Sequence, residues 1–323
     1  MSTDQACRLC GARGANALHE AREMMFGWRD RFDYLECGAC GCLQIAAVPE
    51  DLGRYYGEGY YSLGSDLDAE FADPAVAADR GDRVRALLTG PEAEARQADP
   101  GDLKRPLWSM RRLELSRTSR VLDVGCGTGR LLYLLRLAGW TETLGADAFL
   151  PTGVRYVNGL EVRRAGLEAI EGGWDAIMFH HSFEHLADPA ETLRQVEARL
   201  APGGRCLIRL PLADSEAWAQ YGVNWVQLDA PRHLFLHTRR SLALLAEGAG
   251  LEIEAVEHDS YALQFWGSEQ YRRDIPLMSE QSYRWGAGAP VFTTEQLAGW
   301  ATESERLNRE GRGDQAAVYL RRG

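Results

Sequence analysis

No run of apolar residues in this 323-residue sequence is long enough to cross a bilayer, which takes about 20 consecutive apolar positions. The opening residues, Met1-Ser2-Thr3-Asp4-Gln5, lack the basic and apolar regions of a secretion signal, so a cytoplasmic location without membrane contact is the expectation. Positive charge is short as well. Against 47 Asp and Glu stand 36 Lys and Arg, for a net charge of −11. Long contacts with a nucleic-acid backbone rely on cations that neutralise phosphates, so this balance argues against such a partner without excluding a local one. No internal repeat or low-complexity tract is present. The seven cysteines are an odd number, which disulfides alone cannot pair off. What is there is ordinary for a globular protein, 45% hydrophobic and 26% charged, with length for one large domain and a small module.

Five of the cysteines crowd into the first 42 residues. Cys7-Arg8-Leu9-Cys10 and Cys37-Gly38-Ala39-Cys40 are two Cys-x-x-Cys knuckles with 26 residues between them, each followed by a glycine, Gly11 or Gly41. The glycines permit the tight turn that aims backbone N–H groups at thiolates. Four thiolates suit a closed tetrahedral structural zinc site, with free thiols or a redox pair as the alternative. Cys42 reads as a bystander. Such a metal folds a small module, residues 1–62, that lacks a core of its own. The aromatic stretch Tyr55-Tyr56-Gly57-Glu58-Gly59-Tyr60-Tyr61 reads as a packing segment or as a lid over a ligand. Residues 63–118 read as a linker with capping helices and carry no recognisable chemistry.

The chain is organised around Val121-Leu122-Asp123-Val124-Gly125-Cys126-Gly127-Thr128-Gly129-Arg130. A short apolar run fits a strand buried in a parallel sheet, and Leu131, Leu132, Leu134, Leu135 and Ala138 then form a helical stripe ending at Gly139. This is the first strand–turn–helix unit of a doubly wound α/β sheet, where ligands bind beyond the carboxyl ends of the strands. Glycines let backbone approach a ligand, and the following helix offers free N–H groups. A dinucleotide fingerprint needs a third glycine at position 130, which is Arg. The pattern Gly-x-Gly-x-Gly after an acidic strand residue instead resembles motif I of the class I S-adenosylmethionine-dependent methyltransferases.

Further strands are expected at 143–147, 160–163, 174–179, 205–210, 251–256 and 315–321. Asp147 stands 20 residues beyond Gly127, where a carboxylate can accept ribose hydroxyls. Asp188 as N-cap with Pro189 behind it starts one helix, Thr238 starts another, and Thr293 with Gln296 opens a long one. The run from His181 to Pro211 is similar to the strand-four to strand-five region of small-molecule methyltransferases. The resemblance covers 119–323 and implies a seven-stranded Rossmann-like sheet, six strands parallel and the last inserted antiparallel. It also implies that Asp123, Gly125, Cys126, Gly127, Asp147, Ala148, Leu167 and His180 hold S-adenosylmethionine.

Methyl transfer to a hydroxyl or carbon acceptor needs a base, and His is the natural one. His180 and His181 follow the fourth strand. His185 reads as a loop-holding residue. His233 lies in a segment that returns over the pocket, and Asp229 is its candidate orienter or an alternative base. The competing reading makes Asp229, Arg232 and His233 a salt-bridged turn. The nucleotide-sugar C-methyltransferases also carry an N-terminal four-cysteine zinc module, and in them a His at a comparable Glu-His position is the base. Here Arg232 precedes His233, and that family's tyrosines are not evident. Trp218, Tyr221, Trp225, Phe235, Tyr261, Phe265 and Trp266 read as core or as an acceptor wall. The expected acceptor is a small carbohydrate-like molecule, a sugar or sugar nucleotide. An RNA-modifying enzyme whose zinc module reads RNA and a non-catalytic cofactor-binding scaffold are the alternatives. The sequence leaves the oligomeric state open.

Overall fold

The computed structural model describes residues 2–56, 66–101, 103–285 and 291–323, so Tyr60 and Tyr61 lie outside the described residues. Strands β1 (Ser2–Thr3), β2 (Asn16–Arg22), β3 (Arg31–Glu36) and β4 (Leu43–Ile45) form an antiparallel meander. The next six are β5 (Val121–Val124), β6 (Thr143–Ala146), β7 (Val154–Arg155), β8 (Glu161–Arg163), β9 (Trp174–His180) and β10 (Leu200–Pro211). The last three are β11 (Phe235–Leu236), β12 (Leu251–His258) and β13 (Gln315–Arg322).

The large sheet runs β12-β13-β10-β9-β5-β6-β8-β7. Its central strands β8, β6, β5, β9 and β10 are parallel. β13 lies antiparallel between β10 and β12, which restores β12 to the common direction. This is the expected arrangement of six parallel strands around one inverted strand. The seven-strand expectation is nevertheless corrected to eight. Asn158-Gly159 turns the chain so that β7 folds back antiparallel on β8, with Tyr156 N–H donating to the Leu160 carbonyl at 2.9 Å.

Each face of the sheet is covered. One carries Leu193 and Val196 from the helix Pro189–Arg199 and Leu242 and Leu245 from the helix Arg239–Gly248. The other carries Leu131 and Leu134 from the helix Arg130–Leu137. Residues 66–113 add helices to that second face, burying Leu67, Val84, Leu87, Leu107 and Met110 there. The anticipated caps are present: Asp188 accepts from Glu191 N–H, while Thr238 and Thr293 close capping boxes with Ser241 and Gln296.

The small sheet does not stop at the N-terminal segment. β11, two residues after His233, pairs antiparallel with β4, opposing Phe235 to Gln44 and Leu236 to Leu43. The same core holds Tyr34, Leu35, Leu43 and Ile45 together with Trp225, Leu228, Phe235 and Phe265. Trp225, Phe235, Tyr221 and Phe265 are therefore buried packing residues rather than an open wall. No helix among the described residues is long and apolar enough to cross a membrane.

Candidate active site

The glycine loop leaves β5 and turns at Gly125, Gly127 and Gly129, all at positive φ. At Gly125, with φ +73°, a Cβ would stand 2.4 Å from the Cβ of Ser182, so the loop after β5 can meet the loop after β9 only without a side chain. Ser182 Oγ–H donates to the Val124 carbonyl at 2.6 Å across that seam. Asp147, just past β6, accepts from Gly127 N–H at 2.9 Å through one oxygen and from Phe149 N–H at 2.8 Å through the other. Two of its roughly four acceptor positions are unused among the described residues. Asp123 on β5 is buried, and its Oδ1 has no hydrogen-bond partner among the described residues. Ala148 is exposed beside Asp147, whereas Leu167 is buried in the core.

Beyond β9 the imidazoles fall into different environments. His180 ends the strand with neither ring nitrogen hydrogen-bonded among the described residues, and burial, then Arg209 and His181, pull its pKa down to about 3. His181 adopts a left-handed backbone at φ +52°. Its Nε2 faces Arg209 Nη1 at 2.7 Å, so it must accept there, and Nδ1 turns toward Glu184 Oε1 at 3.4 Å. Glu184 has no exposed surface, and neither of its oxygens receives a hydrogen bond among the described residues. Burial would raise its pKa, but His181 and His233 outweigh that and hold it near 2.

His233 is 6% exposed, and its Nδ1 lies 2.7 Å from the Gln227 carbonyl. A carbonyl can only accept, so the ring hydrogen sits on Nδ1 and Nε2 keeps its lone pair. Burial, then the neighbouring His185, lowers its pKa to about 4. Nε2 faces Glu184 Oε1 at 3.8 Å and Asp229 Oδ2 at 3.9 Å. Asp229 is thus near the imidazole but outside hydrogen-bond distance; the orienting contact comes from Gln227, which the sequence did not single out. The Asp229 carboxylate instead takes the guanidinium of the fully buried Arg232, at 2.6–3.1 Å, and a second Arg232 nitrogen reaches Glu23 at 2.9 Å. The salt-bridged turn and the oriented imidazole coexist. His185 holds the Arg232 carbonyl through Nδ1 at 2.9 Å, as a loop-holding residue should, and its ring centroid lies 4.8 Å from that of His233. Tyr56 bridges the two sides, with its hydroxyl 3.1 Å from His185 Nδ1 and its ring stacked on Phe149.

Cys7, Cys10, Cys37 and Cys40 converge as their spacing predicts. Sγ–Sγ distances are 3.8 Å for Cys7–Cys40 and 3.5 Å for Cys10–Cys37. Four sulfurs around one ion at about 2.3 Å stand about 3.8 Å apart, so the set fits a tetrahedral thiolate site. Gly11 N–H returns to the Cys7 carbonyl and Gly41 N–H to the Cys37 carbonyl. Ala39 and Cys40 N–H groups lie 3.4 Å from Cys37 Sγ. Cys42 is buried and donates to the Leu43 carbonyl, outside the cluster.

A family model described as a methyltransferase domain matches residues 93–256, just over half of the chain. A ubiquinone biosynthesis O-methyltransferase of Caulobacter sp. (strain K31) is 32% identical over 33% of this chain and 49% of its own length. A demethylmenaquinone methyltransferase of Thermus thermophilus is 32% identical over 31% of this chain and 52% of its own. The chain spans about half the length of these curated relatives. Among solved structures, an S-adenosylmethionine-dependent methyltransferase from Mesorhizobium loti is 20% identical, covering 67% of this chain and 97% of its own, with a TM-score of 0.40.

Proposed function

We propose, because this chain belongs to the methyltransferase-domain family, that it methylates a hydroxyl or carbon of a small polar molecule with S-adenosylmethionine as donor. One observation carries the reading: a glycine loop tied to Asp147 is joined at the carboxyl end of β5 to the loop after β9, and the segment between β10 and β11 brings an imidazole, His233, whose Nε2 keeps its lone pair. Leu234 N–H donates to the Glu184 carbonyl at 2.9 Å, which ties the His233 segment to the loop after β9.

The donor supplies a methyl on a positively charged sulfur, already activated for displacement. The chain's part is to bind, align and exclude water. The backbone of Gly125, Cys126 and Gly127 would accommodate the cofactor, with Asp123, Ala148, Leu167 and His180 as further contacts. The open acceptor positions on Asp147 suit ribose hydroxyls. His233 Nε2 is assigned the acceptor's proton. Asp229 anchors the turn through Arg232 rather than acting as base. His180 and His181 are second candidates, and the Nε2 lone pair of His181 is already engaged by Arg209. Cys7, Cys10, Cys37 and Cys40 are assigned a structural zinc ion, which closes their tetrahedron and leaves no position for catalysis.

A sugar or sugar nucleotide is the acceptor favoured by the resemblance to zinc-module C-methyltransferases. A phenolic ring is the second reading, favoured by relatives whose names place them in ubiquinone and menaquinone biosynthesis. Native mass spectrometry with S-adenosylhomocysteine tests the core of the reading. One zinc and one adduct per chain are expected, and Asp147→Ala should lose the adduct but keep the zinc. A folded, zinc-loaded protein with no adduct would overturn the proposal. Labelled donor incubated with nucleotide sugars and, in parallel, with catechols then separates the acceptors. His233→Ala should lower kcat by roughly 10²–10⁴ on the preferred one.

A further inference from the structure

We infer that Glu184, His185 and His233 form a site for a divalent transition-metal ion, separate from the four-cysteine cluster. One oxygen of Glu184 and one nitrogen of each imidazole lie within 4.8 Å of one another. Ligands around an ion at about 2.1 Å stand about 3.0–3.4 Å apart, so closure asks for side-chain movement of roughly an ångström.

Three observations make this a site rather than a chance cluster. Glu184 is fully buried, yet neither oxygen receives a hydrogen bond among the described residues, the nearest imidazole nitrogen, His181 Nδ1, standing 3.4 Å from Oε1. Buried carboxylates are ordinarily paired, hydrogen-bonded or bound to metal. Both imidazoles are also held in the manner of metal ligands: Nδ1 of His185 against the Arg232 carbonyl and Nδ1 of His233 against the Gln227 carbonyl. That leaves a lone pair on the opposite nitrogen of each ring. Finally, two imidazoles and one carboxylate are the donor set of open divalent sites, whereas four thiolates select zinc and close around it. Asp229 does not compete as a fourth ligand, because Arg232 occupies its oxygens.

The role of the ion rests on the methyl-transfer reading. An acceptor hydroxyl on an open metal position loses its proton to solvent water more readily. Its oxygen lone pair forms the new O–C bond, and the electrons of the broken C–S bond return to sulfur. With the ion bound, His233 is a ligand; its role as base belongs to the metal-free pocket.

Titrating manganese(II) chloride into the zinc-loaded protein tests the site, since the harder ion leaves the thiolates alone. One Mn²⁺ per chain is expected, with pulsed electron paramagnetic resonance showing couplings to imidazole nitrogen. Glu184→Gln and His185→Asn should each weaken binding at least tenfold, with zinc content and the S-adenosylhomocysteine adduct intact. Absence of nitrogen coupling in the wild type overturns the inference whatever the variants do. Unchanged Mn²⁺ affinity in a folded Glu184→Gln protein overturns it too. If either result accompanies a normal adduct and turnover, the methyl-transfer reading stands and the metal site alone falls; a missing adduct bears on that reading alone.

Discussion

Asp123 shows how far one side chain departs from its ordinary chemistry when a strand buries it. It is 3% exposed, one of its oxygens has no partner among the described residues, and burial followed by the nearby Asp147 charge pushes its pKa up to about 8. Between about pH 4 and 8 the folded chain therefore holds a proton that the unfolded chain has released. The stability this confers is fully present below the unfolded value and is lost as pH rises through the folded one. Denaturant unfolding of the ligand-free protein should show stability declining with pH between those limits, at up to ~1.4 kcal/mol per unit. Asp123→Asn should remove most of that decline. A variant whose pH profile overlays the wild type would mean that the carboxyl is ionised in the fold. His180 moves the other way, since burial makes its cation costly, and it stays neutral down to about pH 3.

At the level of elements, β5, β9 and β10 were legible because each is a largely apolar run, with helical stripes after β5 and between β9 and β10, and buried strands need little else. The caps at Asp188, Thr238 and Thr293 were legible for the same local reason. The edge hairpin that adds β7 was not, because Val154–Arg155 is too short to show alternation. The site divides along similar lines. Spacing singled out the glycine loop, Asp147 and the four cysteines as candidates, and the resemblance to zinc-module C-methyltransferases singled out His233. It could not show that Gln227, through a backbone carbonyl, orients that imidazole, since any residue offers a carbonyl. Glu23 and Glu184 were missed because their burial is decided by chain distant in sequence, with Arg232 meeting Glu23 across 209 positions. The turn Asp229–His233 is built on that buried guanidinium, and removing one partner of a buried ion pair costs roughly 3–5 kcal/mol. Arg232→Met should therefore destabilise the protein by about that much in thermal or denaturant unfolding, leaving Asp229 without its cation and Glu23 with only the backbone N–H groups of Phe26, Gly27 and Trp28. A loss under ~1 kcal/mol would show that the two carboxylates find water or protons instead.

Across the whole molecule, the four-cysteine module and the imidazole segment form one construction. Tyr34 hydroxyl donates to the His233 carbonyl at 2.8 Å, Ile45 N–H to the Leu234 carbonyl at 3.0 Å, and Thr238 hydroxyl to the Cys40 carbonyl at 2.6 Å. With Glu23 on Arg232 and β4 on β11, the module grips the chain on both sides of His233. The glycine loop is instead fixed by the large sheet, through Ala146, Asp147 and Ser182. A structural zinc ion contributes folding energy on the order of 10 kcal/mol to the segment it closes, so its loss should be felt mainly where the module holds the chain. Cys37→Ser, or chelation of the zinc, should lower kcat more than tenfold while the affinity for S-adenosylhomocysteine changes less than threefold. Hydrogen exchange should speed up over 31–45 and 233–238 but not over 121–129. If affinity and turnover collapse together, the two sheets unfold as one cooperative unit. If neither moves, the module is a passenger and His233 is held by the large sheet alone.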